Sequence, residues 1–306
     1  MSSLLVPSCG IWLGASTAAK SGLLNGSDYA EGLVQYENVA QNTPDILHFY
    51  KAGSQSFPTD QEIAMSERAG HERSLLLYNW KPSQSMSWQQ IAAGGADDAI
   101  QVVAKGLKAY PHKVFLTIWH EPENDMGRPG RSAADYVAMY RHVVTTLRSL
   151  GVTNAVYVMN FMGFFGWSNI VDSLYPGDDV VDWIAYDPYG LGGQSSFADL
   201  VDTARGSWPG FYSWATRKAP GKPIMLAEWG YDLTAQPNAP SYLDQAITTL
   251  QSKFPALKAM VYWHDNAGNF QVRLDQPTAL GASYGDAYRR MVANPYFNST
   301  STALAP

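Results

Sequence analysis

Two glutamates close runs of apolar residues, and their placement sets the chemistry to look for. Glu121 ends Val114-Phe115-Leu116-Thr117-Ile118-Trp119-His120-Glu121, and Glu228 ends Pro223-Ile224-Met225-Leu226-Ala227-Glu228. A carboxylate at the C-terminal end of a buried strand costs free energy unless something there needs it. Two of them, on strands far apart in the chain, predict a pair facing each other across a pocket. Paired carboxyls in different protonation states are the equipment for cleaving glycosidic bonds. At about 5–5.5 Å apart, one protonates the leaving oxygen while the other attacks the anomeric carbon. At roughly 6.5–9.5 Å the pair would admit a water and invert the stereochemistry. The shorter separation is expected here.

The elements that must carry these residues alternate along the chain. Short apolar, β-branched and aromatic runs occur at 9–15, 46–51, 74–80, 114–119, 155–161, 181–186, 223–228 and 258–263. Between them the patterning predicts helices over 29–41, 60–69, 96–109, 133–150, 197–218, 242–253 and 284–292, with a shorter one over 168–174. Thr59 three before Glu62, and Ser132 three before Asp135, have capping-box spacing. Gly151 and Gly221 are stop signals ahead of the next strands. Eight such units imply a parallel sheet with right-handed crossovers, closed as a single (β/α)8 barrel spanning 1–306. No Gly-rich phosphate turn follows the first run, as an open nucleotide-binding sheet would require: Gly10 and Gly14 only flank Ile11-Trp12-Leu13. Residues 1–6 and 298–306 are expected to be extended or frayed.

Composition narrows the partners. Charged residues are 16% of the chain and hydrophobic ones 46%, as in a globular core and unlike a disordered chain. Net charge is 21 − 27 = −6 with no basic run, which argues against nucleic acid and anionic membrane surfaces. Ten Trp and eighteen Tyr offer flat apolar faces with polar edges, suited to sugar rings as well as to a core. Cys9 is the only cysteine, so neither an internal disulfide nor a thiolate metal cluster can form. No stretch is long and apolar enough to span a membrane, and the first residues lack a signal-peptide pattern. The expected partner is an oligo- or polysaccharide, met outside the cell, and no cofactor is expected.

In such a barrel chemistry sits at the C-terminal strand ends. Read in order, those positions hold His48 and Lys51, Asn79 and Trp80, Trp119-His120-Glu121, Asn160, Asp187 with Tyr189, Glu228-Trp229, and Trp263-His264-Asp265-Asn266. The motifs Trp119-His120-Glu121-Pro122 and Ala227-Glu228-Trp229-Gly230 resemble those of clan A glycoside hydrolases. His rather than Asn before the first Glu is similar to glycoside hydrolase family 26. Ala133-Ala134-Asp135-Tyr136-Val137 with Tyr140-Arg141-His142-Val143 resembles that family's helix after strand four. Tyr175-Pro176-Gly177-Asp178, Val181-Asp182-Trp183 and Asp187-Pro188-Tyr189 resemble its sixth-strand region.

The resemblance implies a retaining glycosidase, with Glu121 as acid/base, Glu228 as nucleophile and Tyr189 orienting Glu228. It implies that His120 contacts the sugar being cleaved and that Trp263 forms the floor beneath it. Trp80, Asn160, Trp229, Trp119, Trp167 and His264 complete the expected substrate-binding set. Mannan-cleaving members place an aromatic cluster soon after the acid/base. This chain instead has the polar run Glu123-Asn124-Asp125-Met126-Gly127-Arg128-Pro129-Gly130. Ring stacking is then expected from Phe164, Phe165 and Trp167, with Trp80 and Trp229 beside them. Endo-β-1,4-mannanase activity is the leading expectation; β-1,3-xylanase and mixed-linkage β-glucanase would use the same machinery.

Other chemistries fare worse. A zinc helix would need a second His four residues after His120, and Pro122 disfavours the helix. No Gly-x-Ser-x-Gly elbow is present. No metal is expected at the site, a Ca²⁺ on Glu123 and Asp125 being a lesser alternative. A non-catalytic carbohydrate-binding barrel is the remaining rival, but binding alone would not require an acid pair.

Overall fold

A computed structural model describes residues 2–18, 26–265 and 270–297, the side chains of 26 and 27 apart. Eight parallel strands are formed: β1 (Trp12–Thr17), β2 (Ile46–Ala52), β3 (Leu75–Lys81), β4 (Val114–Ile118), β5 (Ala155–Phe161), β6 (Trp183–Tyr186), β7 (Ile224–Tyr231) and β8 (Leu257–His264). Each pairs with its sequence neighbours, β8 pairs with β1, and β6–β7 pairing completes the ring. The expected (β/α)8 barrel is therefore the observed fold. Tyr189–Gly190 adds a two-residue parallel pairing to the far end of β7.

Alternation along the strands divides two cores. In β3, Leu75 and Leu77 point into the barrel with Trp12, Phe115, Val158 and Trp183. Leu76, Tyr78 and Trp80 point outward, into the layer shared with the surrounding helices. That layer includes α1 (Gly26–Ala40), α2 (Asp60–Ser66), α3 (Trp88–Ala92), α4 (Asp97–Ala109) and α5 (Ala133–Ser149). It continues with α6 (Val171–Leu174), α7 (Phe197–Val201), α8 (Phe211–Lys218), α9 (Ala239–Leu243), α10 (Ala246–Lys253) and α11 (Tyr284–Val292). Both expected capping boxes are present, and a third, Ser87 with Gln90, starts the short α3. Gly151 and Gly221 end their helices at φ 81° and 89°.

Several boundaries differ from the patterning. The first strand begins at Trp12 and not at residue 9, because Gly10 turns the chain at φ 64° and leaves Cys9 exposed. The helix expected over 197–218 is two, α7 and α8, since Gly206 (φ 60°), Pro209 and Gly210 (φ 99°) interrupt it. The one expected over 242–253 likewise divides into α9 and α10.

The opening residues also depart from expectation. Leu5 is buried against the barrel's interior core, and the Trp12 and Trp183 indoles donate to the Leu5 and Leu4 carbonyls at 2.7 Å. This segment closes the barrel's N-terminal end, opposite the mouth; residues 298–306 lie outside the described residues. Leu5→Ala should remove about 2–4 kcal/mol of stability through the cavity it opens. Urea unfolding would measure that loss.

Candidate active site

Two irregularities at strand ends aim the paired glutamates. β4 stops at Ile118, and the chain then turns left-handed at Trp119 (φ 56°) and Glu121 (φ 49°). Such backbone in non-glycine residues costs on the order of 1–3 kcal/mol and persists only where the surroundings fix it. Here the Trp119 amide donates to the Trp80 carbonyl at 2.9 Å, and the Glu121 amide to the Asn160 carbonyl at 3.0 Å. The turn is thereby stitched to the strands on either side. It sends the Trp119 ring outward against Trp88 and leaves His120 and Glu121 at the mouth.

On β7 the irregularity is a bulge. Leu226 pairs with Met260 and Trp229 with Tyr262, so three steps on β7 oppose two on β8. Met225 and Ala227 face the barrel interior. Strict alternation would send Glu228 out and Trp229 in. The extra residue reverses this, placing Glu228 in the mouth and Trp229 among Phe197, Tyr262 and Tyr288 in the outer layer.

One oxygen from each of Glu121, Glu228 and Asp187, which follows β6, lies within 4.8 Å of the other two. Glu228 accepts hydrogen bonds from the Tyr50 hydroxyl at 2.5 Å and the Tyr189 hydroxyl at 2.7 Å. Glu121 accepts from Asn124 Nδ2, and Asp187 from Asn160 Nδ2, each at 2.9 Å. Tyr50 is the hub of the pocket. Its ring meets Trp263 edge-on at 5.5 Å, His120 at 5.4 Å and His48 at 4.7 Å.

Electrostatics follow from crowding three acids into a space with little water. Burial pushes all three carboxyls above the usual carboxylate range, and neighbouring charge adds to it: Glu123 for Glu121, Glu121 for Glu228, and Glu228 for Asp187. They cannot all ionise together. Hydrogen bonds to the charged form favour it, and two phenols donate to Glu228. Negative charge therefore settles on Glu228, and the proton is kept on its neighbours. His120 is pushed well below its ordinary value by burial and then by the nearby Lys81 charge, so its imidazole is neutral.

The polar run after Glu121 is structural support. The Glu123 carboxylate accepts from the Met162 and Gly163 amides at 3.0–3.3 Å. Asp125 accepts from the Trp119 indole and is paired with Lys81, Arg128 and Arg131. Both carboxylates are committed to protein donors, so the calcium alternative loses its ligands.

Six expected site residues converge on the mouth: Glu121, Glu228, Tyr189, His120, Asn160 and Trp263. Four do not. Trp80 and Trp119 lie in the outer core, their indoles donating to the Gly53 carbonyl and to Asp125. Trp229 is turned away by the bulge. His264 follows Trp263 and so faces outward, where it accepts from the Leu274 amide and meets Tyr36 edge-on. Trp167 is half-buried on the loop after β5, its indole against the Met162 sulfur. Asn266 lies outside the described residues.

Tyr50 escaped the reading. The available signal was its place two after His48, on the same inward face of β2. Lys51, singled out instead, pairs with Glu62 behind the strand.

No protein-family model matches the chain. Among curated proteins, Endoglucanase H of Acetivibrio thermocellus is 25% identical over 305 residues, covering 95% of this chain and 33% of the relative. The chain thus spans about a third of that relative's length. Among solved structures, the catalytic domain of a GH26 endo-β-1,4-mannanase from Bacillus sp. JAMB-750 superposes with TM-score 0.65 at 16% identity, covering 96% of this chain and 89% of that one. An endo-β-1,4-mannanase double mutant from Cellulomonas fimi gives 0.64 at 18%, covering 96% and 73%. A β-mannanase from a symbiotic protist of the termite Reticulitermes speratus, in complex with a gluco-manno-oligosaccharide, gives 0.61 at 14%, covering 94% and 88%. The barrel is therefore the fold those β-mannanases share.

A raised carboxyl pKa is a stability statement. The folded protein holds the Glu121 proton to higher pH than the unfolded chain, so stability falls as pH rises from the unfolded value near 4.5 through the folded value of about 7. Glu121→Gln removes that penalty. Its melting temperature should match wild type near pH 4 and exceed it by roughly 2–5 °C at pH 8, measured by calorimetry.

Proposed function

We propose that the chain is a retaining β-glycoside hydrolase of the family 26 kind, acting on β-1,4-linked polysaccharide. The observation that carries this reading is the carboxyl cluster: oxygens of Glu121 and Glu228 within 4.8 Å, with Glu228 held by two phenols. That closeness supports double displacement, whose carboxyls stand about 5–5.5 Å apart, over inversion, which needs roughly 6.5–9.5 Å.

The chemistry assigns each group a task. Glu228, kept ionised by Tyr50 and Tyr189, attacks the anomeric carbon. Glu121 gives its proton to the leaving oxygen as the carbon–oxygen bond breaks. With its charge now spent in the glycosyl–enzyme bond, Glu228 no longer repels a second anion. Glu121 is then free to stay ionised and take a proton from the incoming water, which releases Glu228. Asp187, held neutral by its surroundings, adds no negative charge to the first step. Trp263 offers an apolar face beneath the sugar, and neutral His120 can donate to a ring hydroxyl without adding a positive charge.

Mannan is the first expected substrate, because the superposing structures are β-mannanases. A β-1,4-glucan is second, from the likeness to an endoglucanase. Such polymers are met outside the cell, where the enzyme is expected to act as a monomer on the polymer chain. No helix among the described residues is long and apolar enough to cross a membrane.

Glu121→Ala tests the assignment. Hydrolysis of the polysaccharide should fall by about 10²–10⁴. Hydrolysis of an aryl glycoside, whose phenolate needs no proton, should be restored by azide with formation of a β-glycosyl azide. Equal loss on both substrates with no azide product would contradict the role of Glu121.

A further inference from the structure

We propose that Phe270, on the segment after β8, is a positioning residue for the nucleophile: packed against the Tyr189 ring, it holds that ring where its hydroxyl donates to Glu228. The inference rests on the hydrolase reading above and adds a residue that acts on Glu228 through Tyr189.

Tyr189 needs such a support. It lies in the two-residue strand Tyr189–Gly190, whose backbone pairs with Gly230 and Tyr231. That pairing fixes the backbone but leaves the side-chain torsions to whatever the ring packs against. On one side the ring lines a cavity of about 260 Å³, shared with Phe164, Phe165, Leu191 and Trp208. A ring turned into that space would carry its hydroxyl away from Glu228, to which it now donates at 2.7 Å.

Phe270 does not line the cavity and meets the Tyr189 ring from another side. The two ring centres lie 4.8 Å apart with an interplanar angle of 55°. Aromatic contacts at such distances favour particular orientations beyond the area they bury.

A support works only if it is itself held, and the residues after Phe270 are. The Leu233 amide donates to the Gln271 carbonyl at 2.8 Å, and the Tyr262 hydroxyl to the Val272 carbonyl at 2.5 Å. Val272 packs onto Gly230, the strand partner of Tyr189, where an added Cβ would meet it at 3.3 Å. Arg273 is buried; it donates to the Ala18 carbonyl at 2.8 Å and to Gln35 at 2.6 Å, and pairs with Asp275. The segment is thereby tied to β8, the chain after β7, the end of β1 and α1. None of these bonds uses the Phe270 side chain, so that side chain can change with the segment in place.

The consequence falls on one carboxylate. Tyr50 donates to Glu228 Oε1 and Tyr189 to Oε2, so each oxygen is held by its own phenol. Two holding points fix the carboxylate plane; with Tyr189 swung aside, the group can rotate about the bond to Tyr50. Attack on the anomeric carbon then slows, while the contacts that bind the sugar stay as they were.

The test is a double-mutant cycle on the 4-nitrophenyl β-disaccharide that wild type prefers, the mannobioside or the cellobioside. Its kcat/KM reports the attack by Glu228, the step that releases the phenolate. Phe270→Ala should lower kcat/KM about tenfold in the wild-type background, but less than about twofold where Tyr189→Phe has already removed the hydroxyl. Phe270→Tyr, which keeps a ring at the contact, should stay within about twofold of wild type. Inhibition of Phe270→Ala by the product disaccharide should equal that of wild type. If Phe270→Ala does not fold, Phe270→Leu, which fills the space without a ring, takes its place in the cycle. Equal losses in the two backgrounds, or no loss from either single change, would overturn the positioning role and leave the hydrolase reading standing. A wild type inert on aryl glycosides and on β-1,4-polysaccharide would instead remove the hydrolase reading and this role with it.

Discussion

Three carboxyls crowded within 4.8 Å at the mouth of a barrel are unstable as three anions. The rest of the site is arranged around that constraint. Two phenols hold one charge in place on Glu228, Asn160 and Asn124 steady the other two acids, and His120 stays neutral so that it does not disturb the balance. In the proposed mechanism Glu228 is the ionised nucleophile and Glu121 the protonated acid, the state double displacement needs at its start. Glycosylation of Glu228 would remove its charge and let Glu121 turn base.

The barrel supplies the frame, but regular strands would not have aimed these groups. Glu121 reaches the mouth through two left-handed residues, and Glu228 through a one-residue bulge. Both departures are held by ordinary parts of the structure: amide bonds to the flanking strands, the Asp125 ion-pair cluster, and outer-core packing of Trp119 and Trp229. The aromatic residues next to the glutamates pack in the outer core, where they anchor the backbone.

That distinction marks how far the sequence could be read. Eight apolar runs with helices between them were enough for the barrel, because burial at period two and crossover length leave few alternatives. Glu121 and Glu228 were legible because a buried acid at a strand end demands a partner, whereas Tyr189 was placed beside Glu228 through the family resemblance. Trp80, Trp119, Trp229 and His264 were misplaced for one reason: proximity in sequence to a strand end does not say which face a side chain takes. A bulge at Ala227–Glu228 and a left-handed Trp119 leave no compositional mark, and each reverses a face. Tyr50 was hidden by the opposite error, since its inward face was available from His48 but the charged Lys51 drew attention. Glycines did mark the break between α7 and α8, where Gly206 and Gly210 lie inside an otherwise amphipathic stretch.

The central claim is that Glu228 attacks the sugar directly, with no water between the two carboxyls. The most direct measurement is proton NMR of the anomeric signals during the first minutes of hydrolysis of a β-1,4-oligosaccharide. The account predicts that the β-anomer appears first and the α-anomer only later, by mutarotation. An α-anomer released first would mean inversion, and would contradict the mechanism built on the carboxyl pair.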